Sequence, residues 1–290
     1  MPINQFPDRK YLITSGELAE RLVEVTLIDV RPAEDFAVGH IEGSRHLDIY
    51  GVSLNDSSDA PLNAFLSMFQ ALFGSRGVSR DKPVVIYDHE TGERAARAVW
   101  LLAVLNHPDV KILDGGTQAW ITSGNQLVRL REAPPPVDPT RAPPTPPAYK
   151  GGRNLDLLAT RFDVHRAIDE QGTVIIDVRR ESEYRGTEKR ARRGGTIPGA
   201  VHIFWRDHLD SKGALRPADE IRDLYVAKGV TANKTIVPFC QGGYRSANTF
   251  LALKSLGYPR VRNSVGSWGE WGNRDDSRII VPDPSGGGPR

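Results

Sequence analysis

Short apolar runs punctuate this chain at regular intervals. "TLIDV" begins at residue 26, "VVIY" at 84, "TVIIDV" at 173 and "KTIVPFC" at 234. Runs of this length, rich in β-branched residues and bounded by Gly, Asp or Asn, predict strands. Between them the period lengthens. Over residues 244–256 apolar side chains fall at Ala247, Phe250, Leu251 and Leu253, and the pattern stops at Gly257, as an amphipathic helix would. In the second half of the chain this reading places a helix over 163–170 and strands over 173–178 and 200–204. It then places a helix over 217–228, a strand over 234–240 and a helix over 244–256. Strands alternating with helices predict an α/β fold, a mostly parallel sheet with helices on both faces. Pro238 falls inside the strand over 234–240, read as central, where proline removes a ladder donor.

The pattern occurs twice. Asp29 and Arg31 fall on Asp177 and Arg179, and "GHIEG" from Gly39 falls on "GTIPG" from Gly195. "GVSRDKPVVIYD", ending at Asp88, matches "GVTANKTIVPFC", ending at Cys240. The helical stretches "ERAARAVWLLAVLN" and "YRSANTFLALKSLG" follow, then the segments ending at Trp120 and Trp271. The offsets are 148, 152 and 151 at the Asp-x-Arg, the strand end and the tryptophan. Steady spacing across several motifs marks a duplicated domain. The copies span 1–131 and 154–280. Between them, residues 132–153 carry eight prolines, which predicts a stiff, extended linker. Residues 281–290 read as a disordered tail.

Composition narrows the class. A chain of 290 residues exceeds what one core usually serves, in keeping with two domains. The net charge of +2 comes from near-equal numbers of both signs, so nothing calls for nucleic acid or an anionic membrane as partner. No basic segment followed by an apolar one opens the chain, and no apolar run is long enough to span a bilayer. A single cysteine rules out an internal disulfide and fits a reducing compartment, the cytoplasm. A monomer is expected.

That cysteine, Cys240, ends a strand and is followed by Gln241, Gly242, Gly243, Tyr244 and Arg245, the last at the start of a helix. In open parallel sheets, ligands bind outside the carboxyl ends of strands. Two glycines let the chain curl so that successive amides point inward. The helix N-terminus and the arginine add positive charge. Such surroundings lower a thiol from about 8.5 toward the range of about 3.5–7.5. An unperturbed thiol would be only roughly 3% ionised at pH 7. The bland alternative is a small buried hydrophobe followed by an ordinary turn. In the first copy Asp88 stands where Cys240 does, and Arg94 matches Arg245 after one extra residue. Aspartate cannot carry transferable sulfur, so the first domain reads as catalytically silent. It stabilises the second domain and walls its cleft.

The paired Asp-Val-Arg segments, "GHIEGS" and "GTIPGA", the six-residue loop 240–245 and "GSWGEWGN" together resemble the rhodanese family of tandem-domain sulfurtransferases, over residues 11–129 and 154–274. The resemblance implies two rhodanese-like domains, with the nucleophile Cys240 in the second only and Asp88 in its place in the first. It implies transfer of sulfane sulfur from thiosulfate to a thiophilic acceptor such as cyanide, through a Cys240 persulfide. Loop residues Gln241, Gly242, Gly243, Tyr244 and Arg245 would bind substrate, and no metal or organic cofactor is required. A small anionic sulfur donor and a thiophilic acceptor are the expected partners, with a protein sulfur acceptor possible. The loop departs from familiar variants: it has no second basic residue, and it does not read Cys-Gly-x-Gly. Glu183 stands where some members place a donor-binding arginine. The basic stretch 185–195 is either its replacement or a solvated loop.

Asp177 and Arg179 recur as Asp29 and Arg31 in the silent copy, so they read as structural, as do Trp268 and Trp271. His40, His46, His89, His202 and His208 show no metal spacing. Four functions stay open. They are a thiosulfate sulfurtransferase (or one for 3-mercaptopyruvate), a persulfide carrier to a protein partner, a Cys-dependent phosphatase, and a structural protein with an inert thiol. The phosphatase is disfavoured because phosphate needs five residues between Cys and Arg, and this loop has four.

Overall fold

The computed structural model describes residues 5–130 and 147–282. The first copy builds β1 (Leu12–Ile13), β2 (Thr26–Asp29), β3 (Arg45–His46), β4 (Val84–Tyr87) and β5 (Val110–Leu113). All pair in parallel, in the order β1-β5-β4-β2-β3. The second copy builds β6 (Leu158–Ala159), β7 (Thr173–Asp177), β8 (Val201–His202), β9 (Thr235–Phe239) and β10 (Asn263–Ser264). It repeats the order as β6-β10 and β9-β7-β8, joined by one parallel bridge, Ile236 to Val261. Each copy opens with the same helix start. Thr14 and Thr160 accept the N–H of the residue three positions on, and Glu17 and Asp163 accept the threonine N–H in return.

Pro238 explains why the second sheet is thinner at its centre. Ile236 exchanges both backbone bonds with residues 260 and 262. Two residues on, position 238 faces the same neighbour, but proline has no N–H to offer. β4 pairs with β5 at three positions, whereas β9 meets the chain entering β10 at that one bridge. On its other side β9 keeps a full five-residue ladder with β7.

The Asp-x-Arg pairs are structural clamps in both copies. Arg31 Nη2 donates to Asp29 Oδ2 (2.6 Å) and to the Gly39 carbonyl (2.6 Å). Arg179 Nη2 donates to Asp177 Oδ2 (2.5 Å) and to the Gly195 carbonyl (2.7 Å). All four side chains are buried. Each clamp ties the end of a core strand to the Gly-rich turn that follows. Trp268 and Trp271 are buried on the outer face of the second sheet, with Trp268 lying over Arg179.

The copies meet along helices Glu93–Val104 and Arg245–Ser255, which pack together. One hydrophobic cluster runs between the two sheets and includes Trp100, Phe69 and Phe250. Smaller clusters cover the outer face of each sheet. Of the linker 132–153, residues 132–146 lie outside the described residues. Residues 147–153 lie along helix Asp59–Ser75, where Tyr149 is buried and its N–H donates to the Gln70 carbonyl (2.8 Å). Most of the tail 281–290 likewise lies outside the described residues. No helix among the described residues is long and apolar enough to cross a membrane.

Candidate active site

β9 ends at Phe239 and delivers Cys240 to the floor of a cavity of about 340 Å³ between the two copies. The backbone of Cys240 is held on both sides. Its N–H donates to Ser267 Oγ (3.1 Å), and its carbonyl accepts the Trp268 N–H (2.9 Å). Ser267 sits in the left-handed region (φ 50°), a strained place for a serine. Its hydroxyl also donates to the Ser264 carbonyl (2.8 Å).

From there the chain curls around the sulfur. Gly243 N–H donates to Cys240 Sγ at 3.1 Å, and the Ser246 hydroxyl lies 3.5 Å from it. Glycine is required at two places. At Gly242 a Cβ would stand 2.5 Å from Ser53 Oγ of the amino-terminal copy. Gly243 adopts φ +84°, and its Cβ would stand 2.4 Å from Arg97 Nη1. The thiol side chain is buried. Burial alone would raise its pKa, but Arg245, the Ser246 hydroxyl and amide, and the Gly242 amide outweigh that and hold it below the ordinary thiol value. The sulfur thus has polar neighbours on the loop side, while Cys240 also packs into the hydrophobic cluster between the sheets.

Arg245 is itself buried and makes a two-pronged pair with Glu183 (2.6 and 2.9 Å). Burial would raise the Glu183 carboxyl, but the Arg245 bonds and charge hold it below its usual range. Glu183, read from sequence as a departure, thus anchors the loop arginine. Of the basic stretch 185–195, Arg190 reaches the cavity and lies 3.9 Å from Glu183. Arg192 and Arg193 bind the 273–277 segment instead. Gln241 Nε2 donates to the Arg190 carbonyl (2.9 Å), tying loop to stretch.

Gln241, Gly242, Tyr244 and Arg245 line the cavity together with Cys240. Gly243 contributes its amide from behind. Tyr244 spends its hydroxyl on the amino-terminal copy, donating to the carbonyls of Ile49 and Val52 (2.6 and 2.9 Å). Arg180, Arg206 and Arg190 are exposed at the rim, with Arg206 paired to Glu90. Glu93 of the amino-terminal copy lines the same space. Burial pushes its carboxyl up, partly offset by Arg245. The cavity thus gathers fixed positive charge around one ionisable sulfur, which suits a small anion and a nucleophilic thiolate.

Four contributors escaped the sequence reading: Ser246, Ser267, Glu93 and Arg97. Ser246 adjoins Arg245 and stands where the silent copy has Ala95, a contrast visible in the repeat. Glu93 and Arg97 act across the interface between copies, which no local pattern encodes. Among the described residues no group of three or more His, Cys, Asp or Glu is placed to hold a metal ion.

The family model for the rhodanese-like domain matches this chain twice, over residues 14–123 and 160–274. A thiosulfate sulfurtransferase of Pseudomonas aeruginosa is 34% identical over 278 residues, covering 95% of this chain and 99% of that protein. The sulfur carrier protein TtuD of Thermus thermophilus is 34% identical over 281 residues, covering 90% and 93%. Among solved structures, SseA of Escherichia coli, described as a 3-mercaptopyruvate sulfotransferase, superposes with a TM-score of 0.70 at 26% identity, covering 90% of this chain and 99% of that one. With the duplicated sheet and the cysteine loop, these matches show that the chain belongs to the rhodanese family, as a tandem of two rhodanese-like domains.

Proposed function

We propose that this protein is a sulfurtransferase that takes sulfane sulfur from thiosulfate onto Cys240 and passes it to a thiophilic acceptor. The observation that carries this is the Cys240 sulfur, facing a cation-lined cavity and held below the ordinary thiol pKa by Arg245, Ser246 and loop amides. The Cys240 thiolate attacks the outer sulfur of thiosulfate. A new S–S bond forms, the old one breaks, and sulfite leaves with the bonding pair. The product is a Cys240 persulfide anion. Cyanide then attacks the outer sulfur, giving thiocyanate and restoring the thiolate. The reaction is covalent catalysis in two displacements. Inward amides stabilise the charge that moves between sulfurs.

The likeness to TtuD supports a second reading, in which a protein is the physiological acceptor. The likeness to SseA supports 3-mercaptopyruvate as a rival donor.

One experiment tests these readings. Incubation with thiosulfate should add the mass of one sulfur to Cys240, and cyanide should remove it as thiocyanate. Cys240→Ser should abolish both signals. Failure of the wild-type protein to gain sulfur from thiosulfate would refute the donor assignment, and a gain from 3-mercaptopyruvate alone would replace it. Uptake of sulfur with negligible release to cyanide would favour a protein acceptor.

A further inference from the structure

Arg97 lies in helix Glu93–Val104 of the silent copy and is fully buried. Its Nη1 donates to the Gly243 carbonyl (3.3 Å), in the loop of the other copy. Nε and Nη2 have no hydrogen-bond partner, and among the described residues no carboxylate forms an ion pair with it. Aromatic faces surround the guanidinium: Trp100 at 4.7 Å, Tyr244 at 5.3 Å and Phe65 at 5.7 Å. A buried cation without a counter-ion is costly even after the surroundings relax. Its placement against the back of the nucleophile loop offers a reason.

The repeat sharpens it. With the helix offset of 151, Arg97 corresponds to Asn248. The two side chains do the same thing in opposite directions. Asn248 Nδ2 donates to the Thr91 carbonyl of the silent loop (2.6 Å), and Arg97 donates to the Gly243 carbonyl of the active one. The loop that holds a sulfur nucleophile receives a charged donor, and the loop that holds Asp88 receives a neutral one. Asn263 Nδ2 shares the Gly243 carbonyl (3.1 Å). A carbonyl pinned on that side turns the Tyr244 N–H the opposite way across the planar peptide.

We propose that Arg97 is a positioning residue for Cys240: the silent domain supplies through it the counter-charge, behind the loop, that stabilises the thiolate and the persulfide anion. Burial lowers the Arg97 pKa to about 10, with Tyr244 and Cys240 opposing the fall, so the group stays protonated at neutral pH. The other charged or titratable groups around Cys240 are Arg245 with its partner Glu183, Arg190 beside Glu183, Arg180 and Arg206 at the rim, Glu93 and Tyr50 across the cavity and Tyr244 in the loop. Arg245 shares its charge with Glu183 and Arg206 with Glu90, whereas Arg97 is fully buried and has no ion pair among the described residues.

The inference rests on Cys240 as the nucleophile of the proposed function, but its test is read on alkylation alone. The rate of iodoacetamide modification of Cys240 is followed against pH in the full-length wild type, Arg97→Met and Arg97→Lys, with thermal melts alongside. Arg97→Met should raise the midpoint by about one pH unit, as loss of a nearby opposite charge does, and slow alkylation about tenfold below the midpoint. It should not lower the melting temperature, because it removes an unpaired buried charge. Arg97→Lys should keep the midpoint within about 0.3 unit of wild type, since the charge is retained. An Arg97→Met profile that superimposes on wild type overturns the proposal, and so does an Arg97→Lys midpoint a full unit higher. Should Arg97→Met fail to fold, Arg97→Gln is read in its place, with the same raised midpoint expected and a profile superimposed on wild type overturning the proposal. Thiosulfate uptake by the wild type, read by mass, reports separately on whether Cys240 accepts sulfur at all.

Discussion

Residues 88–94 and 240–245 are one loop built twice, and they dock on the same backbone. Thr117 N–H donates to the Asp88 carbonyl (3.0 Å) as Trp268 N–H does to that of Cys240 (2.9 Å). Gln118 reaches the His89 carbonyl (3.1 Å) as Gly269 reaches that of Gln241 (2.7 Å). What differs is where charge goes. In the Asp88 loop the carboxylate folds back onto its neighbour's N–H (2.8 Å), and burial pushes its pKa up. Arg94 turns outward to Asp48 (3.0 Å) over the ring of Tyr50. In the Cys240 loop Arg245 turns inward, and the sulfur takes the amides. The amino-terminal loop instead holds the two copies together. Thr91 bonds to Gly213 and Asn248, and Glu90 pairs with Arg206, all in the other copy. A shared backbone therefore does not fix the environment at the centre of the loop; the side chains aimed there do.

The largest expected break in this comparison is at Glu183, which holds Arg245 inward. Glu183→Gln leaves a buried arginine without its partner, and loss of one member of a buried pair costs about 3–5 kcal/mol. A marked fall in melting temperature is expected. The thiol should move the other way. With its charge no longer shared, Arg245 acts more strongly on Cys240, so the alkylation midpoint falls below that of wild type. A stable variant with a raised midpoint would show that Glu183 does not anchor Arg245.

Much of this was legible in the chain. The duplication, the mostly parallel sheet and the strand-to-loop-to-helix placement of Cys240 followed from apolar runs and repeated spacing. The strand over 234–240 and the helix over 244–256 are observed as Thr235–Phe239 and Arg245–Ser255. The clamp role of Asp177 and Arg179 followed from their recurrence in a copy without a nucleophile. The role of Glu183 did not, because one sequence shows a carboxylate where a cation was expected but not the arginine it meets, 62 residues away. Nothing in the sequence singled out Arg97. Its significance arises from helix packing between copies, and packing of that range leaves no local signature.

A smaller effect is expected at Ser267. The matching position in the silent copy, Gly116, has nearly the same backbone angle (φ 53°), which glycine adopts without strain. Ser267 accepts the Cys240 N–H in exchange for that strain. Ser267→Ala keeps the strain and loses the acceptor, leaving a buried N–H unpaired at about 1–3 kcal/mol. Ser267→Gly loses the same bond but relieves a cost of order 1–3 kcal/mol. Thermal melts should therefore place the alanine variant clearly below the glycine variant, with the latter near wild type. Equal melts for the two would mean that the backbone there is unstrained.

The smallest effect isolates the sulfur itself. Ser246 and Ala95 occupy matching helix positions, one residue after Arg245 and Arg94. The Ser246 hydroxyl is the only side-chain hydroxyl the described residues place on Cys240 Sγ, at a long 3.5 Å. A bond of that length is weak, and the Ser246 amide remains when the side chain is cut. Ser246→Ala should raise the alkylation midpoint by about half a unit, roughly 0.7 kcal/mol, and leave the melting temperature within a degree or two. The direction follows because a donor to the charged form favours ionisation, so its loss disfavours the thiolate. Ala95→Ser, made in the silent copy, should leave the Cys240 midpoint where it was. A shift of a full unit in Ser246→Ala would mean that the hydroxyl, and not the ring of amides with its two arginines, is the main support of the anion.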